Sequence, residues 1–332
     1  MIKKVAVLTS GGDAPGMNAC IRAVVLACEQ HGFQAMGYLH GYNGLLQQQL
    51  KPMKAQDMHN LIQRGGTVLH SARCLEFKTA EAGKLAAVNL QAANIDALVV
   101  IGGDGSFRGA HHLSQFWSGQ IIGLPGTIDN DIFGTDATIG YYTAIETAVS
   151  SIDKVRDTAD AFERIFLVEV MGRHAGFIAL NAALASASDH VIVPELFQSE
   201  EHALQAMISE LDYRRKTHGS ISYIVVVAEN VWPGGVGKLV QALETRTGSE
   251  VRPVILGHVQ RGGSPVPQDR ILASKLGAEA VRAISLGKTG VMIGEVNGAP
   301  VAVPLEHTWQ QQKPLEDFCV QTMRQLVNAT TE

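Results

Sequence analysis

Leu124-Pro125-Gly126-Thr127-Ile128-Asp129-Asn130-Asp131 sets two carboxylates two residues apart behind a Pro-Gly turn, with a hydroxyl two residues before the first. The apolar run ahead of it, Ile121-Ile122-Gly123-Leu124, is short and bounded by turn residues, so it reads as a buried strand. The carboxylates then lie on the loop leaving the carboxyl end of that strand, where open α/β sheets bind ligands. One carboxylate there can take a proton from a substrate hydroxyl while another helps manage a metal ion and phosphates. A self-contained Asx turn would look the same in isolation, so the surrounding chain has to decide.

Working outward, the same grammar recurs. Val5–Leu8, Gln34–Tyr38 and 96–101 read as strands, and the first and last of these end in glycine-rich loops at 10–16 and 102–106. Helices are expected at about 18–30, 107–116 and 143–157. Strands are read at 164–170, 191–195, 221–228 and 254–257, with helices at 177–187, 200–217 and 269–286. Strand, glycine loop and helix in alternation mark a parallel sheet with helical crossovers. The tail after Pro300 is weakly patterned. A domain change near 140 with a return near 260 fits this order.

Composition narrows the function classes. The chain has 332 residues, enough for two domains with separate cores. A net charge of -5 argues against a dedicated nucleic-acid binder. Cys20, Cys28, Cys74 and Cys319 form no metal-type spacing and read as reduced thiols, which suits a cytoplasmic protein. No apolar stretch approaches the ~20 residues of a membrane span.

Two Gly-Gly-Asp tripeptides, at 11–13 and 102–104, follow two of these strands. Glycines let backbone N–H groups approach phosphate oxygens, and the helix that follows favours anions. Asp104 stands where a Mg²⁺ ligand is useful, and a single carboxylate suffices when phosphates and water complete the shell. Arg73, Arg164, Arg173, Arg252 and Arg261 cluster at strand ends and glycine turns, a pattern that suits two phosphorylated substrates better than scattered surface charge. His258 is a candidate phosphate or hydroxyl contact, and Glu229, at a strand end, a candidate acceptor for sugar hydroxyls.

Taken jointly, Gly11–Ala19, Gly102–Ser106, Pro125–Asp131, Met171-Gly172-Arg173 and Gly257–Arg270 resemble the bacterial 6-phosphofructokinase family, in order and with its spacing, from the first strand to about residue 285. The resemblance implies two Rossmann-like three-layer α/β/α domains with mostly parallel sheets and the active site in the cleft between them. The ATP domain would comprise 1–140 plus about 260–308, and the fructose 6-phosphate domain about 141–259 plus 309–332. It implies transfer of the γ-phosphoryl of MgATP to the 1-hydroxyl of fructose 6-phosphate, the committed step of glycolysis. Asp129 would be the base, Thr127 and Gly12 would hold the transferring group, and Arg173 would offset charge in the transition state. Gly12, Arg73, Cys74, Gly103, Asp104, Gly105 and Ser106 would bind ATP, with Mg²⁺ on Asp104. Thr127, Ile128, Asp129, Met171, Gly172, Arg173, Glu229, His258, Val259, Gln260 and Arg261 would bind the sugar phosphate. Arg164 and Arg252 would reach in from a neighbouring subunit of a homotetramer. No nucleic acid or membrane partner is implied.

The family also bears on the phosphoryl donor. Relatives that use pyrophosphate carry Asp where Gly105 stands and Lys where Gly126 stands, so both glycines favour ATP over pyrophosphate. Cys74 departs from the aromatic common near the adenine. The family's effector pocket for ADP or phosphoenolpyruvate is matched at Arg22, Arg156 and Glu195 but departs at Leu26, Ala55, His218, Ser220 and Ser222, with Arg214, Arg215 and Lys216 nearby as substitutes. Weak or absent ADP activation is the expectation. NAD or lipid kinases share a Gly-Gly-Asp-Gly loop without the 125–131 and 171–173 stretches, and a non-catalytic binding module would be favoured by loss of Asp104 or Asp129, both present.

Overall fold

A seven-stranded and a four-stranded sheet organise the computed structural model, which describes residues 2–162, 164–219 and 222–326. The strands are β1 (Lys4–Thr9), β2 (Gln34–Tyr38), β3 (Leu50–Met53), β4 (Ala97–Gly102), β5 (Gln120–Pro125), β6 (Ile165–Val170), β7 (His190–Ile192), β8 (Tyr223–Ala228), β9 (Val251–Ile255), β10 (Val291–Val296) and β11 (Ala299–Pro304). The chain divides into two compact units. Unit 1 holds Met1–Ile128, Ile132–Thr143 and Arg261–Lys313, and unit 2 holds Asp129–Asp131, Ala144–Gln260 and Pro314–Glu332. Ser220, Ile221, the side chain of His218 and residues 327–332, on all of which expectations fell, lie outside the described residues.

In unit 1 the order is β11-β10-β5-β4-β1-β2-β3, parallel from β10 through β2 with an antiparallel strand at each edge. β4 is buried along its whole length and β1 from its second residue, which is why both read as near-continuous apolar runs rather than alternating ones. On one side, helix Met17–Gln30 packs on helix Pro267–Ser285. They approach closely at Gly277, where a Cβ would lie 2.7 Å from the Cβ of Ala23 and 2.9 Å from Cys20 O. Register across the sheet pairs Gly102 with Pro125 and Thr9 with Ile101, so the β1, β4 and β5 loops leave the same carboxyl edge.

Unit 2 is an all-parallel sheet in the order β7-β8-β6-β9. β9 begins earlier than expected and runs through Pro253, which an edge strand tolerates because an outward-facing amide is not needed. Among the described residues no helix is long and apolar enough to cross a membrane. The four cysteines are free; burial raises the thiol pKa of Cys20, and pushes that of Cys28 up to about 12, so neither is a thiolate near neutrality.

Candidate active site

In unit 1 two glycine turns are tied to one another. Gly11 has φ +87°, a conformation that side chains rarely adopt, and the chain reverses there after β1. The Ser106 hydroxyl donates to Ser10 O at 3.0 Å, and Tyr42 Oη donates to Ser106 O at 2.6 Å. Gly102 lies between them: a Cβ there would fall 2.4 Å from Ser106 Oγ and 2.6 Å from Ser10 O. The helix expected from 107 starts at Asp104, with Gly103 as its N-cap and its first α-helical bond from Phe107 N to Gly103 O. Asp104, Gly105 and Ser106 therefore form the first helical turn, where amide hydrogens and the positive end of the dipole face the loop.

Around this pair the structure gathers most of the residues expected to bind nucleotide. Thr127 is buried beside Gly103, 3.7 Å from where a Cβ on that glycine would lie. Arg261 sits against Gly12, whose Cβ would meet the guanidinium Nη1 at 2.7 Å, and that Nη1 donates to Asp13 O at 3.2 Å. Arg261 was expected with the sugar phosphate, yet it counts with unit 1. Arg73 is exposed next to Ala72, whose carbonyl accepts the Gly11 amide at 3.5 Å. Cys74 is half-buried against the Tyr42–Phe77 core, and burial pushes its thiol pKa up. The Asp104 carboxylate is 28% exposed with Arg108 Nε 3.8 Å away.

The segment at 64–72 borders this half, and neither its His70 nor the His40 that faces it was expected. A cleft of about 460 Å³ is lined by Gly11, Gly12, Asp13, His40, Thr67, His70 and Ser71. Asn18 holds the segment in place, donating to Arg64 O and Gly65 O and accepting from Val68 N. His40 and His70 stack at 5.0 Å, and both have positive φ. The only sequence signal for this pair was two isolated histidines, which carry no spacing rule.

Unit 2 holds most of the sugar-phosphate candidates, while Thr127, Ile128 and Arg261 fall in unit 1. Asp129, buried, begins its first segment, and Asn130 follows with φ +56°. Met171, Gly172 and Arg173 leave β6 in a strained turn: Gly172 has φ +151°, Arg173 φ +61°. The Glu229 carboxylate fixes that turn by accepting Gly172 N at 3.2 Å and Arg173 N at 2.6 Å. Gln260 is fully buried, its amide oxygen accepting Met171 N at 2.8 Å while its nitrogen donates to Ala144 O. It was expected to touch substrate; with no exposed surface its side chain instead supports the Met171 turn. Val259, His258 and Arg173 are exposed. Half-buried Glu169, on β6, is held above the usual carboxylate range by burial first and by Glu229 second.

Two expected residues are set apart. Arg164 and Arg252 both pair with Glu250 where β6 and β9 begin, Arg164 Nε lying 2.7 Å from its Oε2. The Met171–Arg173 turn leaves the other end of β6, six residues or about 20 Å along the strand.

The effector candidates serve local structure. Arg156 donates to Ser186 O and Ala187 O beyond helix Phe177–Ala185, and both oxygens of Glu195 accept Gly176 N before it. Arg22 lies half-buried on helix Met17–Gln30. Arg214, considered as a substitute cation, is engaged by the buried carboxylates of Asp189 and Glu210, and Arg215 bonds Ser249. This corrects the expectation that Arg214 is available to a ligand.

A phosphofructokinase family profile matches residues 4–284. The chain belongs to the phosphofructokinase family. It is 49% identical over 314 residues to "ATP-dependent 6-phosphofructokinase 1" of Thermus thermophilus, covering 95% of this chain and 96% of that one. Among solved structures it resembles phosphofructokinase from Saccharomyces cerevisiae with TM-score 0.85 and 36% identity, over 92% of this chain but 45% of the yeast chain, which is thus more than twice the matched length. A pyrophosphate-dependent phosphofructokinase from Marinobacter aquaeolei has TM-score 0.84 at 22% identity, over 99% of this chain and 91% of that one. At that identity the likeness is one of fold, so donor choice within the family rests on particular residues.

Proposed function

We infer that this phosphofructokinase transfers the γ-phosphoryl group of ATP to the 1-hydroxyl of fructose 6-phosphate, giving fructose 1,6-bisphosphate and ADP. What carries the reading is the tying of the two glycine turns to each other with Thr127 and Arg261 against them. That arrangement offers backbone amides and a hydroxyl to one polyphosphate, with the Arg261 guanidinium beside Gly12 for the phosphorylated sugar.

In this reading unit 1 serves the nucleotide and unit 2 the sugar phosphate. Gly12, Arg73, Gly103, Gly105 and Ser106 line the phosphates, with Cys74 toward the base. Asp129 takes the proton of the 1-hydroxyl as its oxygen bonds to the γ-phosphorus, and the bond to the β–γ bridging oxygen breaks to release ADP. Thr127 and Gly12 hold the group in transit, and Arg173 offsets its charge. Met171, Gly172, Glu229, His258 and Arg261 hold the sugar phosphate, with Glu229 also fixing the Met171–Arg173 turn.

The Asp104 side chain fits a Mg²⁺ ion: a partly exposed hard oxygen donor at a helix start, leaving room for phosphate oxygens and water. When bound, such an ion neutralises phosphate charge and orients the donor.

The donor is ATP. Open space surrounds a side-chain position at Gly105, which supports room there for a nucleotide phosphate. At Gly126 a Cβ would lie 2.8 Å from Ile101 Cγ2 and 3.2 Å from Met17 Cε, so the lysine of pyrophosphate users would require these side chains to shift. Arg164 and Arg252, at the far end of β6 and β9 from the Met171–Arg173 turn, support the reading that they complete a neighbouring copy's site in a homotetramer. A coupled assay offering MgATP and Mg-pyrophosphate in turn tests the reading; turnover with pyrophosphate alone would sink it.

A further inference from the structure

A carboxylate remote in sequence holds the strand-to-helix connection that carries Thr127. Asp269 is completely buried. Its Oδ1 accepts Gly140 N at 2.9 Å, and its Oδ2 accepts Thr143 N at 2.7 Å and the Thr143 hydroxyl at 2.6 Å; the Tyr142 amide also bonds to it. These donors are the start of helix Tyr141–Phe162. Asp269 is itself in the first turn of helix Pro267–Ser285, so one anion lies at the positive ends of two helices. The bond is reciprocal: Thr143 Oγ1 accepts Val266 N at 3.1 Å. Burial raises the pKa of Asp269, while the bonds from Thr143, Gly140 and Tyr142 act against burial by favouring the ionised form.

The turn so clasped grips the Pro125–Thr127 segment. Gly140 has φ +104° and its Cβ position is closed by Ala14 at 2.7 Å, so only glycine fits at this point of the turn. One residue earlier, Ile139 N donates to Pro125 O at 2.8 Å, and Ile139 pairs with Gly126 as a parallel bridge. The Thr138 hydroxyl donates to Thr127 O at 2.6 Å.

We propose that Asp269, clasped by Thr143, is a positioning residue for phosphoryl transfer, fixing the 138–143 turn and through it the backbone of Thr127. The inference rests on the assignment of Thr127 and Asp129 above. An in-line displacement is sensitive to placement: an error of about 1 Å costs on the order of a hundredfold in rate. The proposed nucleotide contacts, at Gly12 and the β4 turn, lie on other segments, and it is Ala14–Gly16 rather than Gly12 that packs on the clasp, so the loss falls on turnover more than on binding.

The test compares full-length Asp269→Asn, Thr143→Val and Thr143→Ser with wild type and Asp129→Ser, well below each melting temperature. The expected result is a kcat lower by roughly tenfold to a hundredfold in Asp269→Asn and Thr143→Val. KM for both substrates should stay within about twofold, and Thr143→Ser should keep wild-type kcat. The double variant should be no slower than its slower parent, because both changes open one clasp. Should Asp269→Asn fail to fold, Thr143→Val decides alone. Wild-type kcat in folded Thr143→Val, or a change confined to KM, would overturn the proposal. An active Asp129→Ser would instead overturn the assignment of the site beneath it.

Discussion

Gly105 and Gly126 look alike in the sequence and differ in space. A side chain at 105 meets nothing of the protein, whereas one at 126 collides with Ile101 and Met17. Gly105→Asp is therefore expected to fold normally and to lose ATP use by at least tenfold in kcat/KM, because its carboxylate occupies and repels the phosphate space. Steady-state kinetics with varied ATP check this, and unchanged values would remove the steric argument. At this scale the sequence was legible where chemistry and backbone geometry coincide: the two glycine turns were expected from type and spacing, and the structure ties Ser106 of one to Ser10 of the other and sets Thr127 beside Gly103. His40, His70 and Asp269 were not legible as site-related, because their positions are set by contacts 30 to 130 residues away rather than by a local pattern. Gln260 was misjudged for the converse reason: its neighbours are exposed, and only packing shows it fully buried.

Elements were legible where burial is uniform. β4 and β8 are fully buried and read as apolar runs. β10 and β11 did not, because β11 is mostly exposed and its pattern is flat. The usable signal was Asn297-Gly298, both with positive φ, the pair that a two-residue hairpin turn requires. β7 carries a consequence for stability. Burial pushes His190, at its start, down to about 4 from an ordinary value near 6.5. As pH falls from about 6.5 toward 4, the unfolded chain binds a proton that the folded chain refuses, so stability drops by up to about 1.4 kcal/mol per pH unit from this one group. Thermal melts between pH 7 and pH 5 should fall more steeply for wild type than for His190→Asn. Parallel slopes would show that His190 does not set this dependence.

At the scale of the molecule, assembly and regulation are the open consequences. If Arg252 serves a neighbour's site, mixing inactive Asp129→Ser with inactive Arg252→Ala subunits should restore activity, since some mixed sites hold both native groups. No recovery after confirmed subunit exchange would place both in one chain's site. The positions that the family resemblance assigns to an effector pocket lack cations at Leu26 and Ala55, and Arg214 is taken up by Asp189 and Glu210. ADP at millimolar concentration is therefore expected to shift the fructose 6-phosphate half-saturation by less than about twofold, since each lost charge-assisted bond removes about 1.5–3 kcal/mol of effector affinity. A several-fold shift would show that another cation has taken that role.

The most direct measurement of the central claim is turnover of fructose 6-phosphate by purified protein with MgATP or Mg-pyrophosphate, run beside Asp129→Ser. The account predicts turnover with ATP alone, reduced by several orders of magnitude in the variant as expected for loss of a base at the reacting oxygen. Turnover with pyrophosphate, or an Asp129→Ser enzyme as fast as wild type, would contradict it.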